Sequence, residues 1–296
     1  MKQTERGFLL LTSHLGDPER KCLTVAQFRM LAQRVRGAEH SRELRELVPE
    51  DLKKLGYGAE MAERIVGLLE EEWRLDAYLS RANLAGCRVV TRVSETYPQA
   101  LRVRLGLDAP GCLWFKGDLS LLEMPLIGLV GSRELLPENR GFAREAGLQA
   151  AKQGFTLVSG NARGADKTAQ EACLEAGGSV ISILADDLSQ HSEKEKVLYL
   201  SEDGFDLAFS PQRALSRNRV IHALPSLVLV AQCGLKTGGS WDGTVRNLRG
   251  HWSKVCCFDD GSEASALLEQ MGGEPISMAQ LQDLRALAIP DLNFLI

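Results

Sequence analysis

Gly154-Phe155-Thr156-Leu157-Val158-Ser159-Gly160-Asn161-Ala162-Arg163-Gly164-Ala165-Asp166-Lys167 is the stretch on which the fold turns. A turn glycine opens a short β-type run. Small residues at 159, 160, 162, 164 and 165 then carry the chain into the helical pattern Thr168-Ala169-Gln170-Glu171-Ala172. Strand, glycine-rich turn and helix in that order is the unit of a parallel sheet, and the bare backbone at the helix head suits an anion. Ser159, Gly160 and Gly164 would line such a turn, with Arg163 and Lys167 supplying charge. Asp166 suits capping the helix or gripping a hydroxyl better than touching phosphate. A turn that only lets helix and strand pack closely is the plainer alternative.

Outward from this stretch the pattern repeats. Strands are expected over 126–130, 156–158, 179–184, 206–209, 227–230 and 255–258. Helices are expected near 138–153, 165–176, 190–202, 214–223, 241–250 and 262–271. Val, Ile and Leu runs alternating with helices imply an α/β fold: a mostly parallel sheet of Rossmann-like kind with helices on both faces. Further strands are expected near 87–91 and 113–116, and a tail helix through Met278, Leu281, Leu284 and Leu287, followed by the apolar end Leu292 to Ile296.

Residues 1 to about 85 read differently. Thr24 can cap a helix through Val25, Phe28, Leu31 and Val35, and a second segment covers 43–47. Pro49 to Gly58 then leads into Ala62, Ile65, Leu68, Leu69, Trp73 and Leu75 on one face. The division expected is a small helical module at 1–84, of SAM-like or helix–hairpin–helix type, and a Rossmann-like domain at 85–296. The module either presents amides to a DNA backbone or simply packs as a bundle.

Three more turns share the anion-facing logic. Gly131-Ser132-Arg133 follows Leu126-Ile127-Gly128-Leu129-Val130, offering a bare backbone, a hydroxyl and a planar guanidinium. Arg213, Arg217, Asn218 and Arg219 form a cationic set without nearby carboxylates, which points to an external anion. Lys236-Thr237-Gly238-Gly239-Ser240 opens a helix bearing Arg246 and Arg249, with Trp241 placed to stack a base or fill the core. Neither the dinucleotide fingerprint nor a Walker loop is present.

Composition limits the alternatives. With 44% apolar and 25% charged residues over 296 positions the chain has ample core material, and a net charge of −4 makes any polyanion site a local patch. Seven scattered cysteines and five dispersed histidines show no metal-ligand spacing, and Phe8 to Leu11 is too short for a signal sequence. No apolar run nears the roughly 18 residues that span a bilayer. A cytoplasmic protein without metal or cofactor is expected.

Taken in order, the four turns resemble the DNA-processing protein A family (DprA/Smf), over roughly residues 85–260. The resemblance rests on Gly-Ser-Arg at 131–133, Ser-Gly-x-Ala-x-Gly-x-Asp at 159–166, Arg-Asn-Arg at 217–219 and the glycine turn at 238–240. Tyr97-Pro98-x-x-Leu101 and Leu113 to Gly117 are similar to the family's approach to its core. It implies a homodimer-forming protein that holds single-stranded DNA in a basic pocket and loads a RecA-type recombinase during DNA uptake, repair or defence. Arg133, Lys167, Arg217 and Arg219 would then bind phosphate, helped by backbone at Gly160, Gly238 and Gly239. Gln170 stands where members often have His, and the last twenty residues leave no room for the winged helix many members add. The resemblance is thus to a divergent paralogue.

The stretch from Gly238 to Thr244 also resembles the active-site turn of phosphoribohydrolases and nucleotide-sensing relatives. Asn247 replaces the glutamate expected there, removing the carboxylate that glycosidic cleavage needs. A binding protein is therefore expected rather than an enzyme, with a nucleotide sensor or nucleotide N-glycosidase as the alternative. Asp166, Asp186, Asp187 and Asp242 are the acids such chemistry would draw on.

Overall fold

A computed structural model describes residues 1–37 and 47–288. Most of the segment expected at 43–47, and the apolar end at 292–296, lie outside those residues. The chain divides into two compact units. One comprises 1–97, 110–114 and 202–207; the other holds the remainder.

The first unit is mostly helical. In α1 (Gln3–Thr12) the run Phe8 to Leu11 is wholly buried, so this apolar stretch is a core helix. Helix α2 (Val25–Arg36) starts where expected. The Thr24 hydroxyl accepts the Gln27 N–H at 3.2 Å, and the Gln27 side chain accepts the Thr24 N–H at 2.9 Å. This reciprocal cap satisfies two amides that a helix start leaves open. Helices α3 (Pro49–Lys54) and α4 (Ala59–Glu70) meet at a tight turn in which Gly56 takes φ +85°. Ala62, Ile65, Leu68 and Leu69 face inward as their spacing requires. Trp73, at the start of α5 (Glu72–Leu84), does not follow them: it is 68% exposed. A new helix begins at 72 and rotates its first turn off the face set by α4. The strand β1 (Arg88–Thr91) also belongs to this unit, whereas α6 (Gln99–Leu105) belongs to the other and β2 (Cys112–Lys116) is divided between them.

The larger unit carries the sheet. Its elements are β3 (Leu126–Val130), α7 (Pro137–Lys152), β4 (Thr156–Ser159), α8 (Ala165–Glu175), β5 (Ser179–Leu184), β6 (Val197–Glu202), α9 (Pro211–Ser216) and α10 (Asn218–Ala223). After them come β7 (Leu227–Val230), α11 (Gly238–Gly250), β8 (Lys254–Phe258), α12 (Glu263–Gln270), β9 (Glu274–Ile276) and α13 (Leu284–Ala288). Strand order is β6-β5-β4-β3-β7-β8-β9, and every one of these pairings is parallel. The chain therefore winds outward from β3 in one direction, then returns to β7 on its other side. Neighbouring strand ends diverge there, opening a crevice at their carboxyl edge.

Helices cover both faces. Ile127 and Leu129 enter a core with Ala143, Ala146 and Ala169 of α7 and α8, while Gly128 faces Ile221 of α10. The α7–α8 contact depends on small residues, since a Cβ on Gly147 would come within 2.8 Å of the Ala169 carbonyl carbon.

Two expectations fail together. Residues 190–202 are not a helix and 206–209 are not a strand; the strand is β6, all six of whose residues are buried. Glu193 to Lys196 give this stretch a helical, charged look, but they form the exposed loop before Val197-Leu198-Tyr199-Leu200. A fully buried parallel strand shows no alternation that would distinguish it from a helix of the same length. The tail also differs: Met278 to Asp283 form a 3-10 helix and only 284–288 are α-helical. Apolar residues at 278, 281, 284 and 287 recur every third position, which is the period of that tighter helix.

Candidate functional site

The crevice between the ends of β3 and β7 is a cavity of about 630 Å³. Its lining brings together Gly131, Ser132 and Arg133 from the first turn and Gly238, Gly239 and Ser240 from the fourth, with Arg217, Asn218 and Asp166. A smaller hollow of about 240 Å³ lies beside it, holding Gly160 and Arg163, and Arg133, Ala162, Phe209 and Arg217 line both.

These turns are tied to one another through the main chain. The Ser240 hydroxyl donates to the Gly131 carbonyl at 2.7 Å, and Asn218 Nδ2 donates to the Gly239 carbonyl at 2.9 Å. The Ser132 amide donates to the Gln232 carbonyl at 2.9 Å, and the Ala165 amide to the Ser132 carbonyl at 3.1 Å. Glycine is required where two turns touch. At Gly164, φ is +89° and a Cβ would lie 2.6 Å from the Arg133 carbonyl carbon; at Gly131 a Cβ would lie 2.5 Å from that of Ala165.

Helix α8 does not offer the open anion cradle its glycine-rich start suggests. The buried Asp166 carboxylate accepts the amides of Gly160 at 3.2 Å and Ala162 at 3.1 Å. The amides of Ala165, Lys167 and Thr168 donate to the carbonyls of Ser132, Ala162 and Gly164. Asp166 therefore does not cap α8, whose start has no side-chain cap; from the first turn of the helix it ties down the loop that precedes it. Burial pushes its carboxyl above the ordinary range, opposed by the Arg217 charge and by the two amides. The start of α11 is different: Gly238 to Ser240 lie in the cavity wall, and first-turn amides have no intrahelical acceptor.

The arginines divide by role. Arg133 is exposed at the rim of both hollows. Arg217, only 8% exposed, donates through Nη1 to the carbonyls of Gly160 and of Ile183, the latter at 2.6 Å. Arg213 donates to the carbonyls of Ala185 at 2.8 Å and Ala208 at 2.9 Å, and to the Ser201 hydroxyl at 2.8 Å. The pair therefore satisfies strand-end carbonyls. Main-chain oxygens are prominent among their acceptors, and such partners leave no mark in a side-chain pattern. Arg219 bonds Ser216, and Arg163 pairs with Glu134 at 3.2 Å on the open surface. Lys167, Arg219 and Lys236 line neither hollow. Ser159 is buried at the end of β4, where Gln170 Nε2 donates to its hydroxyl at 2.6 Å and to that of Ser182 at 3.0 Å.

Several lining residues escaped the sequence analysis. Phe209, 55% exposed, and Leu215 give the cavity an apolar wall, and His222 of α10 lies wholly buried beneath it. Phe209 sat in a stretch assigned to a strand, and His222 in a helix read only for its arginines. Trp241 is half-buried and outside the lining. The four acids do not converge: Asp166 holds the Gly160 and Ala162 amides, Asp187 caps the turn at 188–190, Asp186 meets His191 at 3.2 Å, and Asp242 is exposed. Among the described residues no cluster of His, Cys, Asp or Glu could hold a metal, and no helix is long and apolar enough to cross a membrane.

A parallel sheet wound outward from β3, with glycine turns meeting at its switch point, defines a Rossmann-like protein with a crevice at the carboxyl edge of its strands. The chain matches the family model for DNA recombination-mediator protein A over residues 88–247, and it belongs to that family. It is 30% identical over 141 residues to the DNA processing protein DprA of Streptococcus pneumoniae, covering 44% of this chain and 50% of that protein. Against the protein Smf of Escherichia coli it is 31% identical over 190 residues, 60% of this chain and 47% of the other. The chain thus spans about half the length of these curated relatives. Its fold matches the crystal structure of the S. pneumoniae DprA with a TM-score of 0.70 at 24% identity, covering 96% and 98% of the two chains. It matches a DprA from Helicobacter pylori, described for its single-stranded DNA binding mode, with a TM-score of 0.57 at 23% identity over 68% and 94%.

Proposed function

We propose that this protein acts in DNA processing by holding single-stranded DNA along the crevice at the carboxyl edge of β3 and β7, without catalysing a reaction on it. The observation that carries this is the meeting of Arg133 with the α11 start at Gly238, Gly239 and Ser240 in one cavity. A guanidinium and a helix N-terminus converging on one space favour a phosphate there. The exposed Arg163 extends the positive edge along the adjoining hollow. Membership of a family described as recombination mediators supports handing the bound strand to a RecA-type recombinase, as a cytoplasmic homodimer. The helical first unit is taken as an accessory module.

Fluorescence anisotropy with labelled oligonucleotides tests the central step. Single strands are expected to bind more tightly than duplexes. Each phosphate neutralised on a single strand contributes a slope of about −0.7 in log K against log salt. A flat salt response, or equal binding of duplex and single strand, overturns the proposal. Handover is tested separately, by whether the full chain speeds assembly of a RecA-type filament on coated single strands.

A further inference from the structure

The helical first unit has a basic hollow of its own, with a volume of about 370 Å³. Four cations line it, Arg20, Lys21, Arg64 and Arg74, against two carboxylates, Asp17 and Glu71, and Gly67 of α4 lies in its wall. Part of this set is structural. The buried Arg20 donates to the Leu10 carbonyl at 2.6 Å, to the Ser13 carbonyl, and through Nε to Glu71 at 2.7 Å. Arg74 Nη1 donates to Asp17 at 2.8 Å, and Arg74 Nε lies 3.4 Å from the same Glu71. Two guanidinium groups and two carboxylates balance here and tie the loop after α1 to the start of α5.

Lys21 and Arg64 are left over. Arg64 donates to the carbonyls of Lys21 at 2.8 Å and Cys22 at 2.7 Å, which hold its guanidinium in place without neutralising it. Among the described residues neither Lys21 nor Arg64 pairs with a carboxylate. Four cations against two carboxylates leave the hollow with two surplus positive charges, in a chain whose net charge is −4.

The donors can be reached from solvent. Lys21 is exposed. Arg64 Nη1 and Arg74 Nη2 have no partner among the described residues, and neither atom is buried. Gly67 adds a separate observation. It lies inside α4, where glycine weakens a helix relative to alanine, yet no atom stands within 4 Å of the position its Cβ would take. Packing does not require glycine there, and the missing side chain keeps the wall of the hollow clear.

We propose that this hollow is a second phosphate site, in which Lys21, Arg64 and Arg74 hold a backbone phosphate of single-stranded DNA. An ammonium and two guanidinium edges offer charge-assisted N–H donors, the groups that a phosphodiester accepts most strongly. The inference rests on the single-strand reading above and adds that the helical unit contributes to the grip through side chains.

The test uses the full chain and a long labelled oligothymidylate, followed by anisotropy over a range of salt. At 0.15 M salt Lys21→Gln should bind about 4-fold more weakly than the parent, with a slope of log K against log salt shallower by about 0.7, the share of one single-strand phosphate. Gly67→Glu, which sets a carboxylate in the hollow, should weaken binding at least as much. Gly67→Ala should bind as the parent does and melt higher. In ¹⁵N spectra of the parent protein the Arg64 Nε resonance should move when oligothymidylate is added. Parent-like affinity and slope in both Lys21→Gln and Gly67→Glu, or an Arg64 resonance that stays in place, overturns the assignment. An equal shift with polyglutamate at the same charge concentration also overturns it, giving the hollow to an acidic polypeptide. Failure of the crevice reading looks different: Arg133→Ala would match the parent while Lys21→Gln still weakened binding. If the parent binds no oligothymidylate, both readings fall.

Discussion

Arg217→Ala separates two readings of the same residue. Sequence places Arg217 among phosphate ligands, whereas its guanidinium bonds the buried carbonyls of Gly160 and Ile183. A hydrogen bond from a charged donor contributes about 1.5–3 kcal/mol, so losing two costs about 3–6 kcal/mol. Two further effects push the same way: the carbonyls stay buried without their donor, and Asp166 loses the charge that offsets its burial. Against a total stability of about 5–15 kcal/mol this is a large fraction. In urea titrations followed by circular dichroism, Arg217→Ala should unfold at clearly lower denaturant than the parent. Arg133→Ala, at an exposed site, should stay within about 0.5 kcal/mol. Anisotropy should show the reverse pattern in binding. Arg133→Ala should weaken all sequences alike and lower the salt slope by about 0.7 for the lost phosphate contact. The reasoning is refuted if Arg217→Ala matches the parent in urea yet loses binding as Arg133→Ala does.

Three further outcomes are expected. Gly164→Ala should destabilise by at least about 2 kcal/mol in thermal melts, because position 164 holds φ +89° and a methyl group would press on the 132–133 backbone. The pKa of His222 falls from 6.5 to about 3 on folding, so the unfolded chain binds more protons between those values and stability drains as pH falls through that window. Between pH 6.5 and 5 the parent should lose about 2 kcal/mol that a His222→Phe variant retains. Lys167→Ala and Lys236→Ala, at positions lining neither hollow, should each change oligonucleotide affinity less than about twofold at 0.15 M salt, where distant exposed charges are screened.

Local pattern was enough for the parallel architecture and for four of its turns. The runs at 126–130, 179–184 and 227–230 fall where apolar content ended at a glycine or proline boundary, and these strands match. The place of Asp166 in the first turn suggests a helix cap, but its carboxylate holds the Gly160 and Ala162 amides of the preceding loop, a contact set by the path of that loop and not by local pattern. The strand at 197–202 was not, since burial on both faces erases the two-residue period and leaves the charged loop before it as the stronger signal.

What this sequence determined by itself is the order of elements and the presence of glycine where two backbones must touch, because both follow from steric and apolar preferences of short segments. What only the tertiary structure decided is which cations face the crevice. Arg133 faces it, Arg217 sits beneath it on main-chain oxygens, and Lys167 and Lys236 lie outside it. A side chain's partner depends on which strand ends the winding brings together, and carbonyl acceptors leave no trace in residue identity. The same holds for His222, whose tautomer is set by Asn247 and Ser253, up to 31 positions along the chain.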